Sequence, residues 1–155
     1  MSGNLQKELK QRKPFSSLEH EVVLNIMRTA GAMRQGTTEA LKPYDLTPPQ
    51  FNVLRILRGA EPEGLPCSDV GDRLVSKDPD VTRLLDRLEK RGLIERGRSA
   101  TDRRVVTATI TTKGIDLVNE LDAPITELHA SQLGHMKKKE LKKLVTLLEK
   151  ARSQE

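Results

Sequence analysis

Aromatic side chains are nearly missing from this chain of 155 residues: Phe15, Tyr44 and Phe51 are the only three, and there is no tryptophan. Proteins that hold single-stranded nucleic acid stack its bases on aromatic platforms, so that mode of recognition has little to work with here. Cysteine is as scarce. Cys67 stands alone without an internal disulfide partner, and no apolar segment follows the polar start MSGNLQKELKQRK. Nothing marks the chain for export, and the expected compartment is the reducing cytoplasm. No apolar run approaches the roughly 20 residues needed to cross a bilayer, so no membrane partner is expected. His20, His129 and His135 lie far apart, no Cys or His pair has metal-ligand spacing, and there is no glycine-rich phosphate loop. Without a metal set or a cofactor motif an enzyme is disfavoured, and neither a metal nor a cofactor is expected.

What is present is charge. Lysine and arginine number 27 against 22 acidic residues, a net charge of +5, which favours a polyanionic partner. The length suits one globular domain with a real core.

Up to about residue 15 the chain is polar, with isolated Leu5, Leu9 and Phe15, and reads as an arm or short helix ending at Pro14. Ser16 and Glu19 have the spacing of a capping box, and Leu18, Val22, Val23, Ile26, Met27, Ala30 and Met33 follow at helical period to about Leu41. Thr47-Pro48-Pro49-Gln50 restarts the chain with a second box and proline in the first turn. The helix it opens carries Phe51, Leu54 and Leu57 inward. Gly59 to Pro66 reads as a loop, and Cys67 to Leu74 as a short helix. Asp78-Pro79 reads as another cap followed by proline. Val81, Leu84, Leu85 and Leu88 then form the cleanest amphipathic pattern, closed by Gly92. Two short helices with a brief link make a helix-turn-helix candidate.

After Gly92 the period changes. β-Branched residues predict two strands, 93–98 and 104–110, joined by the polar tip Ser99 to Arg103: a β-hairpin, or wing. Thr111 or Thr112 caps a further helix with Ile115, Val118, Leu121, Ile125 and Leu128 inward, and Pro124 should bend or break it. A last helix, about 137–152, sets Leu141, Leu144, Val145 and Leu148 opposite its lysines; the run KKKELKK is read as a solvated face.

The stretch VTRLLDRLEKRGLIERGRSATDRRVVTATITTKG, 81–114, resembles the recognition helix, wing and following helix start of the MarR family. Its most specific part is Asp102-Arg103-Arg104 with Thr111 and Gly114 in register behind it. The resemblance implies a mainly α, α+β fold: a winged helix-turn-helix with long terminal helices forming a dimerisation region. It implies one domain over 1–155, with 1–42 and 112–155 as dimerisation helices and 46–111 as the DNA-binding lobe. The implied function is a sequence-specific regulator of transcription, a ligand-responsive repressor acting as a homodimer on double-stranded DNA. The alternative is a winged-helix module used only for protein contacts.

Geometry supplies a reason for the layout. A major groove about 12 Å wide accepts one α-helix, while a hairpin beside it reaches the adjoining narrow, negative minor groove. Between 83 and 104 eight basic residues (Arg83, Arg87, Lys90, Arg91, Arg96, Arg98, Arg103, Arg104) face four acids (Asp86, Glu89, Glu95, Asp102). The wing arginines Arg96, Arg98, Arg103 and Arg104 are therefore candidates for phosphate or groove contact, and Lys77, Thr82 and Arg83 for the helix. Asp78 is expected to be the N-cap. Asp80 stays open, since a carboxylate beside phosphates repels them yet can accept from cytosine N4. The resemblance implies that Asp102 orients Arg104 instead of touching DNA; its other reading is a plain turn residue.

The first and last two helices carry wider apolar faces than a small lobe covers, and a partner chain is the simplest cover. The resemblance also implies a small phenolic or anionic effector between the dimerisation helices and the lobe, with His20, Met27, Met33 and Phe51 as candidate lining. Redox-sensing relatives carry their thiol in the first helix. Cys67 does not lie there, and is expected to be inert.

Overall fold

The computed structural model describes residues 3–78 and 80–153. In chain order the elements are α1 (Leu5–Glu8), α2 (Leu18–Leu41), a single 3₁₀ turn (Lys42–Tyr44), α3 (Pro48–Gly59), β1 (Leu65–Pro66), α4 (Cys67–Arg73) and α5 (Val81–Lys90). These are followed by β2 (Ile94–Arg98), β3 (Val106–Ile110), α6 (Thr112–Leu133) and α7 (Lys138–Arg152). The result is a mainly helical winged helix-turn-helix, with α4 and α5 as the helix pair and β2–β3 as the wing.

Local chemistry sets most of the boundaries. Thr47 Oγ1 accepts the Gln50 N–H at 3.3 Å and Gln50 Oε1 accepts the Thr47 N–H at 3.0 Å, the reciprocal box that starts α3. At α2 the cap is Ser17, one residue later than expected: its Oγ accepts from His20 N–H at 3.1 Å, while Ser16 Oγ meets His20 Nδ1 at 2.9 Å. Gly92, at φ 70°, ends α5 in the left-handed region. Thr111 Oγ1 accepts from Gly114 N–H at 3.1 Å and donates to the Gly92 carbonyl at 2.7 Å, so one hydroxyl both starts α6 and ties it to the end of α5. Pro124 does not break α6, which runs on as one helix to Leu133.

The expected loop 59–66 contains a strand. Leu65 pairs with Ala108 and Pro66 with Thr107, giving an antiparallel sheet of order β1-β3-β2. Gly64 makes the approach feasible: at φ 74°, a Cβ there would lie 2.3 Å from the Ala108 carbonyl oxygen. In the wing Ile94 pairs with Ile110 and Arg98 with Val106.

The core lies between α3, α4, α5, the sheet and α6. Leu54 and Leu57, Leu85 and Leu88, Leu93 and Ile94, and Val118 and Leu121 are its centre, each at most 2% exposed. Burial of that order contributes roughly 1.5–3 kcal/mol per large side chain. The α2 stripe is different. Leu18 is 72% and Met27 64% exposed, with Val22, Val23 and Ile26 also open, and α7 has no buried residue. One strong tie joins the lobe to α6: the Arg58 guanidinium holds both Asp122 oxygens, at 2.8 and 2.9 Å, and Asn119 Oδ1 at 2.8 Å.

Candidate nucleic-acid interface

Helix α5 buries Leu84, Leu85 and Leu88 and turns Thr82, Arg83, Arg87 and Lys90 to solvent. Its start corrects one expectation. Asp80, not Asp78, is the N-cap: Asp80 Oδ1 accepts the Arg83 N–H at 3.0 Å, and Asp78 Oδ1 accepts the Asp80 N–H at 2.8 Å. The second aspartate wins because the first is taken into the preceding turn. Pro79, expected in the first turn, lies outside the described residues. Asp80 therefore has a structural role at the tip of the helix, and its carboxylate also favours the positive helix end. Lys77 is exposed and comes within 3.9 Å of Asp72, a surface pair of little weight.

The wing separates its four arginines into two groups. Arg96 is turned back to α5: its guanidinium meets Asp86 Oδ1 at 2.5 Å and Glu89 Oε1 at 3.1 Å, and its backbone N–H donates to Glu89 Oε2 at 2.8 Å. The side-chain hydrogen bond from Arg96 holds the Glu89 carboxyl below its ordinary range, and the hydrogen bonds to Glu89 and Asp86 raise the guanidinium of Arg96. Arg96, grouped by the sequence with the other wing arginines as a candidate for phosphate or groove contact, is engaged instead in bracketing the wing to α5. The same contact satisfies a backbone N–H on the outer edge of β2, which is an edge strand.

Arg98, Arg103 and Arg104 form the second group. All three are exposed and enter no ion pair among the described residues. Arg98 donates to the Arg103 carbonyl at 3.1 Å, bracing the tip. Asp102 Oδ1 accepts from the backbone N–H of Arg104 at 3.0 Å, and the Asp102 carbonyl from Val105 N–H at 3.1 Å. The aspartate thus acts on Arg104 through the main chain; among the described residues it makes no ion pair with the guanidinium.

Comparison with known proteins places this arrangement. A family model described as MarR family matches residues 44–105. The chain is 31% identical over 122 residues, 77% of each chain, to the HTH-type transcriptional regulator MhqR of Bacillus subtilis (strain 168). The chain belongs to the MarR family. It is 34% identical over 106 residues to the HTH-type transcriptional regulator TtmR of Methylorubrum extorquens (strain PA1), matching 68% of this chain but only 53% of that longer relative. Among solved structures it resembles a MarR transcription factor from Planctomyces limnophilus, at 40% identity and TM-score 0.67, covering 88% of this chain and 98% of that one. It also resembles a mutant MarR from E. coli complexed with operator DNA, at 27% identity and TM-score 0.78, covering 89% and 100%.

In this MarR-family chain a cleft of about 650 Å³ lies where α2, α3, α6 and the link between α4 and α5 meet. Phe51, Pro48, Pro49 and Ile125 give it apolar walls, and Arg34, Arg55 and His129 give it donors. The Arg55 guanidinium sits 5.8 Å from the Phe51 ring centroid. Of the four residues expected to line an effector site, only Phe51 lies in this cleft. Met27 and His20 are exposed on α2, with His20 edge-on to Phe15 at 5.8 Å, and Met33 is half-buried where its carbonyl accepts from Gln132 at 3.3 Å. Nothing in the sequence pointed to Arg34, Arg55 and His129 as neighbours, because α2, α3 and α6 meet only in the fold. Cys67 is half-buried, and burial pushes its thiol up, away from the reactive thiolate. Among the described residues no helix is long and apolar enough to cross a membrane.

Proposed function

We propose that this MarR-family protein is a homodimeric, ligand-responsive repressor that lays α5 in the major groove of double-stranded DNA and reaches the adjoining minor groove with its wing. The observation that carries this reading is the division of labour among the arginines. Arg96 fixes the wing to α5, Arg98, Arg103 and Arg104 are left exposed at the wing tip, and Lys77, Thr82 and Arg83 are exposed at the start of α5. A wing used for protein contacts has no need of that cationic tip. The DNA-bound E. coli relative supports the same use of the fold.

Residues 46–111 act as the DNA-binding lobe, and 1–42 with 112–155 as dimerisation helices, the whole being one domain. The uncovered stripe Leu18, Val22, Val23, Ile26 and Met27 on α2, and Val145 and Leu147 on α7, support a second copy as its cover. The cleft between α2, α3 and α6 takes the effector, a small anionic molecule with an apolar body, held by Arg34 and Arg55 against Phe51. Such an occupant would touch Val75 and Ser76, whose loop leads into α5 and is anchored by Val75 N–H donating to Asn52 Oδ1 at 2.8 Å. The protein acts in the cytoplasm and catalyses no reaction.

Two chains related by a dyad present recognition helices about one helical turn apart, so the site is a pseudo-palindrome. Sedimentation velocity of the protein with a duplex selected from a random pool is expected to give two chains per duplex, and a dimer alone at micromolar concentration. A monomer that leaves every duplex unshifted would contradict the reading.

A further inference from the structure

A second cationic surface lies on the flank of α5 opposite the wing. Residues three apart share a helix face. Asp86 and Glu89 share the one bracketed to Arg96, and Arg87 and Lys90, each one residue further on, are turned about 100° from it. There a groove of about 580 Å³ opens between α5, the end of α2 with the 3₁₀ turn, and the start of α3. Its cations are Lys42, Arg87, Lys90 and Arg91, against the carboxylates Glu39 and Asp45. Arg91 is committed to structure, donating to the carbonyls of Asp45 and Tyr44. Gln35 Nε2 donates to Glu39 Oε1 at 3.4 Å. Lys42, Arg87 and Lys90 are exposed and enter no ion pair among the described residues. Thr47, exposed along the same groove, uses its oxygen as an acceptor for Gln50 and keeps its hydroxyl proton to donate.

A helix lying in a major groove has a phosphate strand on each side of it. The wing arginines serve one side only. The geometry points to this groove as the seat of the other strand: Lys42, Arg87 and Lys90, with the Thr47 hydroxyl, hold the phosphate backbone that walls the major groove away from the wing. This rests on the DNA-binding reading above and adds to it a contact at Lys42, the residue that caps the end of α2, so the dimerisation helix is tied directly to the DNA contact surface. Such contacts set register and orientation and read no bases. An effector that moves α2 against the lobe then alters Lys42 relative to Arg87 and Lys90, and the seat is lost as a unit.

The test is salt-dependent binding of the full-length protein to a selected duplex and to a random one, for wild type and for Lys42→Ala, Arg87→Ala and Lys90→Ala. Each variant is expected to bind both duplexes about ten-fold more weakly. Each should also shrink the slope of log K against log salt by roughly one unit, with the ratio between the two duplexes kept. Thermal melting should stay at the wild-type value, since all three side chains are exposed. Wild type that binds while the variants keep its slope overturns this seat alone; wild type that binds no duplex overturns the DNA-binding reading with it. Calorimetry in which inorganic phosphate binds wild type but not the variants, with DNA slopes unchanged, would assign the groove to a small anion and overturn the proposal.

Discussion

Replacing Gly114 by alanine is expected to destabilise the fold by about 3 kcal/mol and to lower the melting temperature by roughly 6–12 °C. The sign is the informative part. In an exposed helix position Gly→Ala stabilises by about 1 kcal/mol, because alanine loses less conformational freedom. Gly114, in the first turn of α6, is buried, and an added Cβ would lie 2.3 Å from the Leu93 carbonyl oxygen and 2.7 Å from Ile110 Cγ1. Neither neighbour can retreat. The Leu93 carbonyl accepts the Thr111 N–H at 3.0 Å, and Leu93 and Ile110 belong to the core between α5 and the wing. The close approach is what lets α6 start directly against the end of α5. Gly31 in α2 has nothing within 4 Å of such a Cβ, so Gly31→Ala should hold or raise the melting temperature by a few degrees. Circular dichroism melts of the two variants check this. A Gly114→Ala protein as stable as wild type would contradict the packing of α6 on Leu93.

Arg96→Ala is expected to weaken binding to a selected duplex by about ten-fold or more while leaving the salt slope near its wild-type value. The loss arises because the guanidinium, only 22% exposed, holds the wing to α5 through Asp86 and Glu89. A wing freed from that bracket must be ordered at the moment of binding, which costs free energy that the bracketed wing has already lost. Stability should fall by only about 1–2 kcal/mol, since both carboxylates are substantially solvated. Arg96→Lys keeps the charge but not the planar fork, so it should restore the effect only in part. Affinity on salt titration, with hydrogen exchange of the wing amides, separates the possibilities. A uniform loss on every sequence with a slope smaller by one unit would make Arg96 a phosphate contact; unchanged exchange in the wing would remove the bracket.

Elements with local causes were legible in the sequence. The Thr47–Gln50 box, the Leu84, Leu85 and Leu88 face, Gly92 and the hairpin around Asp102 are all decided by neighbours a few residues apart. What was missed depends on distant partners. Two residues of β1 show no periodicity, and they form a strand only because Gly64 lets the chain meet Ala108. In Asp78-Pro79-Asp80 either aspartate satisfies the pattern of a cap, and only the path of the preceding turn selects Asp80. Arg96 looked like its neighbours Arg98 and Arg104 because nothing in the sequence reveals that Asp86 and Glu89 face it across two elements. The family resemblance placed His20, Met27 and Met33 near a cleft between the dimerisation helices and the lobe, but a resemblance in helix order does not say which side of α2 faces α3 and α6. The cleft is completed by Arg55 and His129, 74 positions apart in the chain.

The central claim is that the wing tip touches DNA, and Arg104→Ala in salt-dependent binding tests it most directly. Arg104 is exposed and makes no ion pair among the described residues, and its backbone is fixed by Asp102 at 3.0 Å. Removing its guanidinium takes away one charge-assisted contact and one released counterion. Affinity for a selected duplex should fall about ten-fold, with the slope of log K against log salt smaller by roughly one unit and the major-groove preference largely kept. Asp102→Ala measured alongside should also weaken binding, although it removes a negative charge, because the turn that fixes Arg104 is lost. Arg104→Ala with wild-type affinity and slope, together with Asp102→Ala that binds more tightly, would contradict the account and leave the wing a surface for protein partners.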